Sequence, residues 1–397
     1  MFLLKENCMS SKTLKITYVD ESLAIGGAEE YLKMLLKEFS GIFETTLIHR
    51  NSRHHNGFYA DLKMAKVALD PAVYDKPVSL FKSYFTIFKS DRGDLLHVNL
   101  PAPNYCRSAI IAASMCRIRG VVTTSHLPNL TFPRSKLGML AGRSIWDWIV
   151  WRMVFDIIDT SIVVSEASAD SLKANYPTSP DRVRCIHNGV DQTRFAGVER
   201  IDVENVKQEF GISANDLVVA SVGRLHPQKG YTYLLNAMLK LNRNIPNVKL
   251  ILVGDGPLRA DLGRLAVDLG LKDKVIFAGK RDDIPQLLAA SDIYVNSSLF
   301  EGLPFSILEA MSAGVPVVAT AVDGNKEIIY DPGSGILVPA EDAEGLANAI
   351  SILANDSNRR RTLGMQGRDV VTKIFSIDLM LQKTEQLYRE VAARYKR

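Results

Sequence analysis

Cysteine is scarce in this chain. Only four occur, Cys8, Cys106, Cys116 and Cys185, and none stands in a C-x-x-C pair. That spacing gives no sign of a zinc site or a disulfide framework, and it fits a reducing compartment. Long apolar runs are missing too: no stretch approaches the ~18–20 residues of a membrane-spanning helix. Lys5 interrupts the opening Met1-Phe2-Leu3-Leu4, so a secretory signal is not expected either. No D-x-D triplet occurs. A site that grips a diphosphate through a divalent ion commonly supplies carboxylates at such a spacing, so no metal and no resident cofactor are expected. No fixed-period repeat is visible.

What is present points to a soluble, two-domain enzyme in the cytoplasm. At 397 residues the chain exceeds the size at which one core stops growing, and 47% hydrophobic with 23% charged residues is ordinary for a globular protein. The net charge of +4 is uneven. Residues 1–190 carry 23 Lys and Arg against 18 Asp and Glu, whereas the remainder carries 25 against 26. A mildly basic first half suits an anionic acceptor or lipid surface, and also ordinary variation. It is too slight to suggest nucleic acid.

Apolar runs alternate with helical patterns, the signature of parallel α/β units. Strands are expected at Leu14–Val19, Thr45–His49, Leu95–Val98, Val121–Thr124, Ile162–Val164 and Val183–Ile186, then at Leu217–Val222, Val248–Val253, Val275–Phe277, Ile293–Val295 and Val317–Ala319. Their nearly continuous apolar character fits strands covered by helices on both faces. The two series part at His187-Asn188-Gly189-Val190-Asp191. We therefore expect a domain over residues 1–190, a second over 191–376, and a final helix over 377–397.

Four short segments carry the chemistry. Glu301-Gly302-Leu303-Pro304-Phe305 leads to Glu309, and Pro304 suits the first turn of a helix, where free N–H groups receive an anion. A continuous helix would hold the two glutamates at most about 12 Å apart along its axis. That is too far for both to flank one bond, since paired glycosidase acids stand roughly 5–9.5 Å apart, but it suits the two ends of an elongated anionic ligand. Gly223-Arg224-Leu225-His226-Pro227-Gln228-Lys229-Gly230 follows a strand directly, so Arg224 and Lys229 can face one diphosphate at the sheet edge. Gly254-Asp255-Gly256-Pro257 begins like a dinucleotide fingerprint, but Arg259 takes the third glycine position. That argues for a pocket wall and against a nicotinamide or flavin site. Gly26-Gly27-Ala28-Glu29 is the counterpart in the first half, with a plain tight turn as the alternative.

Together with His187–Asp191, Phe277–Ile284 and Met311–Thr320, these segments resemble glycosyltransferase family 4 (glycosyl transferases group 1), a retaining family with the GT-B fold. The resemblance spans most of the chain. It implies two Rossmann-like doubly wound parallel-sheet domains facing a cleft, with the last helix packed back on the first. Arg224 and Lys229 would bind the donor diphosphate, beside Gly223 and Gly254. Glu309 would hold the ribose, and Glu301 a hydroxyl of the transferred sugar. The backbone of Gly302, Leu303, Pro304 and Phe305 would line sugar and phosphate. The base would lie against Lys280 and Arg281, read through backbone atoms. Gly27 would close over the diphosphate, and His126 would face the reacting sugar. Two departures stand out: no proline precedes the Gly-Gly loop, and Asn99 stands where a second histidine is frequent, so His97 is assigned to the core.

The implied activity is retaining transfer of a hexosyl group from a nucleotide-sugar, a UDP-sugar first and GDP-mannose next, to a hydroxyl of a glycan or lipid-linked saccharide. No carboxylate is obviously placed as a nucleophile, which favours same-face attack. Two rivals are a nucleotide-sugar 2-epimerase of the same architecture and a nucleotide-sugar-binding protein without turnover. The segment Thr131–Phe155 mixes Arg134, Lys136, Arg143 and Arg152 with Phe132, Trp146, Trp148, Trp151 and Phe155. It reads either as peripheral contact with an anionic membrane at its cytoplasmic face or as a helix packed into the core.

Overall fold

A computed structural model describes residues 13–100, 106–127 and 145–395. They form two compact units, Met1–Ile186 with Leu381–Arg397, and His187–Met380. The first holds seven parallel strands: β1 (Lys15–Asp20), β2 (Glu44–Arg50), β3 (Ala65–Leu69), β4 (Leu95–Leu100), β5 (Gly120–Ser125), β6 (Thr160–Val163) and β7 (Val183–Cys185). Their order is β3-β2-β1-β4-β5-β6-β7. The second holds β8 (Leu217–Val222), β9 (Val248–Val253), β10 (Val275–Gly279), β11 (Ile293–Asn296), β12 (Val317–Thr320) and β13 (Ile336–Val338). They run in the order β10-β9-β8-β11-β12-β13, again all parallel.

Both units are thus Rossmann-like doubly wound sheets, as the sequence implied. In each, the order reverses beside the first strand, between β1 and β4 and between β8 and β11. Such a switch point opens a crevice beyond the carboxyl ends of the strands. Two strands escaped the sequence reading. β3 is an edge strand with largely exposed side chains, and the apolar run of β13 is only three residues long, too short to stand out.

Helices cover the sheets through apolar faces. In Tyr231–Asn244 the buried residues Leu234, Leu235, Met238 and Leu241 recur at helical spacing and pack on β8 and β9. Each such side chain contributes about 1.5–3 kcal/mol by leaving water. The last helix, Ile377–Ala393, starts in the second unit and continues in the first, where buried Tyr388 stacks edge-on to Phe39 and Phe43. Within the second unit, Val190 N–H donates to Phe375 O at 2.9 Å, and the Val190 carbonyl accepts from Ile377 N–H at 3.1 Å. A Cβ on Gly189 would strike Ser376 and Ile377, which explains a glycine where the two chain passes run side by side.

The aromatic helix Ile145–Ile157 resolves half of the open question about its segment. Trp151, Val154 and Phe155 are buried in the first unit's core, and Arg152 is exposed and paired with Asp156. Phe132, Arg134, Lys136 and Arg143, and the side chains of Trp146 and Trp148, lie outside the described residues. Among the described residues no helix is long and apolar enough to cross a membrane.

Candidate active site

The second unit's switch point is closed by two loops. After β8 the chain makes one tight turn at Pro227–Lys229 and enters the helix Tyr231–Asn244 through Gly230, whose φ is 60°. After β11 it runs through Ser297–Pro304 into the helix Phe305–Ser312. Three contacts bind the loops: Leu299 N–H to Gln228 O at 2.7 Å, Ser297 Oγ to Lys229 O at 2.8 Å, and Gln228 Nε2 to Phe300 O at 3.0 Å.

Those contacts bring Lys229 and Glu301 together. Nζ lies 2.6 Å from Oε1, and both side chains are largely buried, at 18% and 6% exposure. The same carboxylate accepts from Ser298 Oγ at 2.6 Å, from Gln228 Nε2 at 3.4 Å and from Asn296 Nδ2 at 3.5 Å. Behind it, Asn325 Nδ2 donates to Asn296 Oδ1 and to Thr320 O, at 3.0 and 2.9 Å, and Thr320 Oγ1 donates to Ser298 O. A carboxylate held by so many donors from both loops is oriented before any ligand arrives.

Arg224 differs. It is exposed, and its side chain makes no hydrogen bond or ion pair among the described residues, so a guanidinium fork stands open on the same loop as Lys229. Burial, then the charges of Arg224 and Lys229, pushes the His226 imidazole below its ordinary value. His226 is therefore neutral at neutral pH, and the positive charge of the loop is that of Arg224 and Lys229.

Two expectations need correction here. Pro304 is the N-cap of its helix, in extended backbone, and the helix proper begins at Phe305. Glu301 therefore precedes the helix and only Glu309 stands on it, so the helical spacing between the two acids does not hold. The loop between them is fixed in other ways. Asn188 Nδ2 donates to Leu303 O at 2.7 Å, and a Cβ on Gly324 would collide with the Gly302 carbonyl.

Gly254 is explained by packing. Its φ is 128°, and any Cβ there would collide with Gly223 O, so the ends of β8 and β9 lie in backbone contact. A Cβ on Gly256 would likewise collide with the Leu225 backbone. Lys280 is exposed at the end of β10. The Arg281 guanidinium is engaged, by Glu209 at 2.5 and 2.8 Å and by Asp283 at 2.8 and 2.7 Å. Those carboxylates raise its pKa and turn the side chain toward protein.

Gly27 and His126 belong to the first unit. Gly26 and Gly27 open the helix Gly27–Phe39, and Glu29 caps it by accepting Gly26 N–H at 2.7 Å. Glu29 is buried; burial first, and the Asp20 charge second, push its carboxyl up to about 7. His126 follows β5 and is 9% exposed, with Nε2 2.9 Å from Asn99 Oδ1. Burial pushes its imidazole down to about 3, so it is neutral. His97 lies in the core as expected, between Thr124 Oγ1 at 3.0 Å and the Tyr388 hydroxyl.

The sequence reading missed Asn296, Ser298, Thr320 and Asn325 in the second unit, and it marked Asn99 in the first only as a departure, with no role. One signal was available: Asn296-Ser297-Ser298 and Thr320 are polar residues ending buried apolar strands. Side chains there point into the crevice or brace those that do.

Comparison with known proteins follows the same division. The family model described as Glycosyltransferase Family 4 matches residues 25–194, and that described as Glycosyl transferases group 1 matches residues 202–370. An alpha-maltose-1-phosphate synthase of Mycolicibacterium smegmatis is 30% identical over 290 residues, covering 68% of this chain and 73% of that protein. A UDP-Gal:alpha-D-GlcNAc-diphosphoundecaprenol alpha-1,3-galactosyltransferase of Escherichia coli is 28% identical over 314 residues, covering 77% and 78%. Among solved structures, Anabaena HepE in complex with UDP and glucose is similar with a TM-score of 0.78, covering 95% of this chain and 100% of that one. At 22% identity that likeness speaks for the fold alone.

Proposed function

Because this chain belongs to glycosyltransferase family 4, with a group 1 glycosyl transferase module in its second unit, and is a glycosyltransferase, we propose that it moves a hexosyl group, with retention, from a nucleotide-diphosphate sugar to an acceptor hydroxyl. The donor we favour is a UDP-sugar, with GDP-mannose next. The acceptor we favour is a glycan or a lipid-linked saccharide. The galactosyltransferase that takes UDP-Gal and a diphosphoundecaprenol acceptor supports both choices.

The observation that carries this reading is the Lys229–Glu301 pair beside the open Arg224. Departure of a diphosphate from an oxocarbenium-like centre is the costly step, and cations placed at the leaving oxygens lower its barrier most. Arg224 and Lys229 supply that charge, together with the N-terminus of the helix Phe305–Ser312. No metal is then required. Glu301, already bonded to Lys229, orients the transferred sugar through a hydroxyl. Glu309 holds the ribose, and the backbone near Lys280 and Arg281 takes the base. Same-face attack, with a leaving phosphate oxygen accepting the acceptor's proton, needs no nucleophilic carboxylate. Gly27 and His126 enter through the family resemblance, Gly27 at the diphosphate and His126 at the sugar.

A panel of UDP-, GDP- and ADP-sugars tests the donor, since a ligand at 100 times its Kd adds about 2.7 kcal/mol of apparent stability. One nucleotide class should raise Tm in the wild type and not in Lys229→Ala. Equal stabilisation of that variant would refute the site. Turnover with donor and acceptor, undiminished in EDTA, checks the metal-independent reading. Incubation of donor alone, watched for a new epimer, separates transfer from epimerisation. Contact with anionic membrane rests on the composition of residues 131–155; flotation with anionic liposomes, comparing wild type with Arg143 and Arg152 neutralised, decides it.

A further inference from the structure

We propose that Asn99 is a positioning residue for His126: it holds the ring as the Nε2–H tautomer, leaves Nδ1 as the bare acceptor, and ties the ring to the Gly26–Gly27 turn. The inference deepens the reading above and rests on His126 taking part in transfer. Asn99 is the last residue but one of β4 and is fully buried. Its amide spans two groups, Ala28 O at 3.1 Å from Nδ2 and His126 Nε2 at 2.9 Å from Oδ1.

The direction of both bonds follows from donor chemistry. A carbonyl only accepts, so the NH2 end must face Ala28; the reversed amide would set two oxygens against each other. Oδ1 therefore faces the ring and can only accept. Nε2 must carry the proton, and the neutral ring has just one. Nδ1 is left with its lone pair, able to accept from a hydroxyl and unable to donate to one.

Neighbouring groups leave that assignment alone. Tyr31 stands edge-on to His126 at 4.9 Å and sends its hydroxyl toward Thr124 at 3.4 Å. His97, whose charge would oppose protonation of His126, is neutral, with its nitrogens occupied by Thr124 and Tyr388. Among the described residues, Asn99 is thus the side chain that sets the tautomer. Ala28 is the second residue of the helix Gly27–Phe39, so one amide fixes both the ring and the glycine turn that opens that helix.

The test is nitrogen NMR of the full-length enzyme labelled in histidine, with His126 identified from His126→Gln, alongside steady-state kinetics. Wild type should show a protonated Nε2 and a bare Nδ1. Asn99→Ala should mix the two tautomers and lower kcat roughly tenfold or more while the donor KM changes little, as for a group acting in the transition state. Asn99→Asp, nearly isosteric, sets a carboxylate against the ring. It should draw a second proton and give kcat a pH dependence absent from the wild type. If the alanine variant does not fold, the aspartate variant tests the same contact: a His126 ring that stays neutral with a bare Nδ1 beside that carboxylate overturns the inference. An unchanged tautomer in a folded Asn99→Ala overturns the inference and leaves the proposed reaction standing. A mixed tautomer with undiminished kcat overturns it the other way, by removing His126 from the reaction.

Discussion

The carbonyl of Ser297 occupies the space that a side chain at residue 230 would need. A Cβ on Gly230 would collide with that oxygen, and the residue holds φ at 60°. One glycine thereby lets the loop after β8 lie against the loop after β11, which is the contact that sets Lys229 beside Glu301. Left-handed backbone costs a residue with a Cβ about 1–2 kcal/mol before any clash is counted. Gly230→Ala should therefore lose at least that much stability in urea unfolding and bind the donor nucleotide markedly more weakly. Full donor affinity in this variant would show that the two loops need not touch.

Lys229→Ala removes the cation from a carboxylate that is 6% exposed. Both stability and turnover should fall, because the remaining Glu301 charge is then paired only with neutral donors. Lys229→Ala with Glu301→Gln should recover stability relative to the single variant and recover no activity. Loss of kcat of roughly 100- to 1000-fold is the scale for removing one electrostatic stabiliser. Chemical denaturation and single-turnover assays separate the effects; recovery of both together would mean the pair serves the fold alone.

Much of this arrangement was legible in the sequence. Buried parallel strands read as apolar runs, and loops that follow them at the carboxyl edge must lie near one another, so the segments around Arg224, Lys229 and Glu301 could be grouped without coordinates. Less could be read where the sequence carries no periodic signal. β3 and β13 are edge or very short strands. Pro304 fits a helix start in sequence, but whether it is the cap or the first helical residue depends on backbone angles set by the preceding loop. Asn99, Asn296 and Asn325 act through side-chain amides, and which group each bonds depends on contacts far apart in the chain.

Arg281 separates the backbone from the side chain at the base. Its guanidinium is bonded to Glu209 and Asp283, so it has few donors left for a nucleotide. Arg281→Ala should leave the ranking of UDP-, GDP- and ADP-sugars unchanged while lowering Tm by a few degrees. Competition binding with the three nucleotides checks it. A switch in preferred nucleotide would put the guanidinium itself on the base.

Glu29 gives the first unit a pH signature whose sign can be worked out. Its carboxyl is pushed up to about 7 in the folded chain, from 4.5 when unfolded. Between those values the folded state keeps a proton that the unfolded state releases, so this group's contribution is fully present below pH 4.5 and is lost as pH rises through 7. His97 and His126 act oppositely: both are held neutral down to about 3 when folded, against 6.5 when unfolded, so their contribution is lost on acidification below 6.5. Glu29→Gln keeps an oxygen for Gly26 N–H and removes the titration. Its Tm should therefore gain on the wild type steadily as pH rises from about 5 to 8, while both proteins share the acid decline of the two histidines. A difference in Tm that stays flat across that range would mean the Glu29 carboxyl is ionised throughout, its burial offset by solvent or by Ser22 and Gly26.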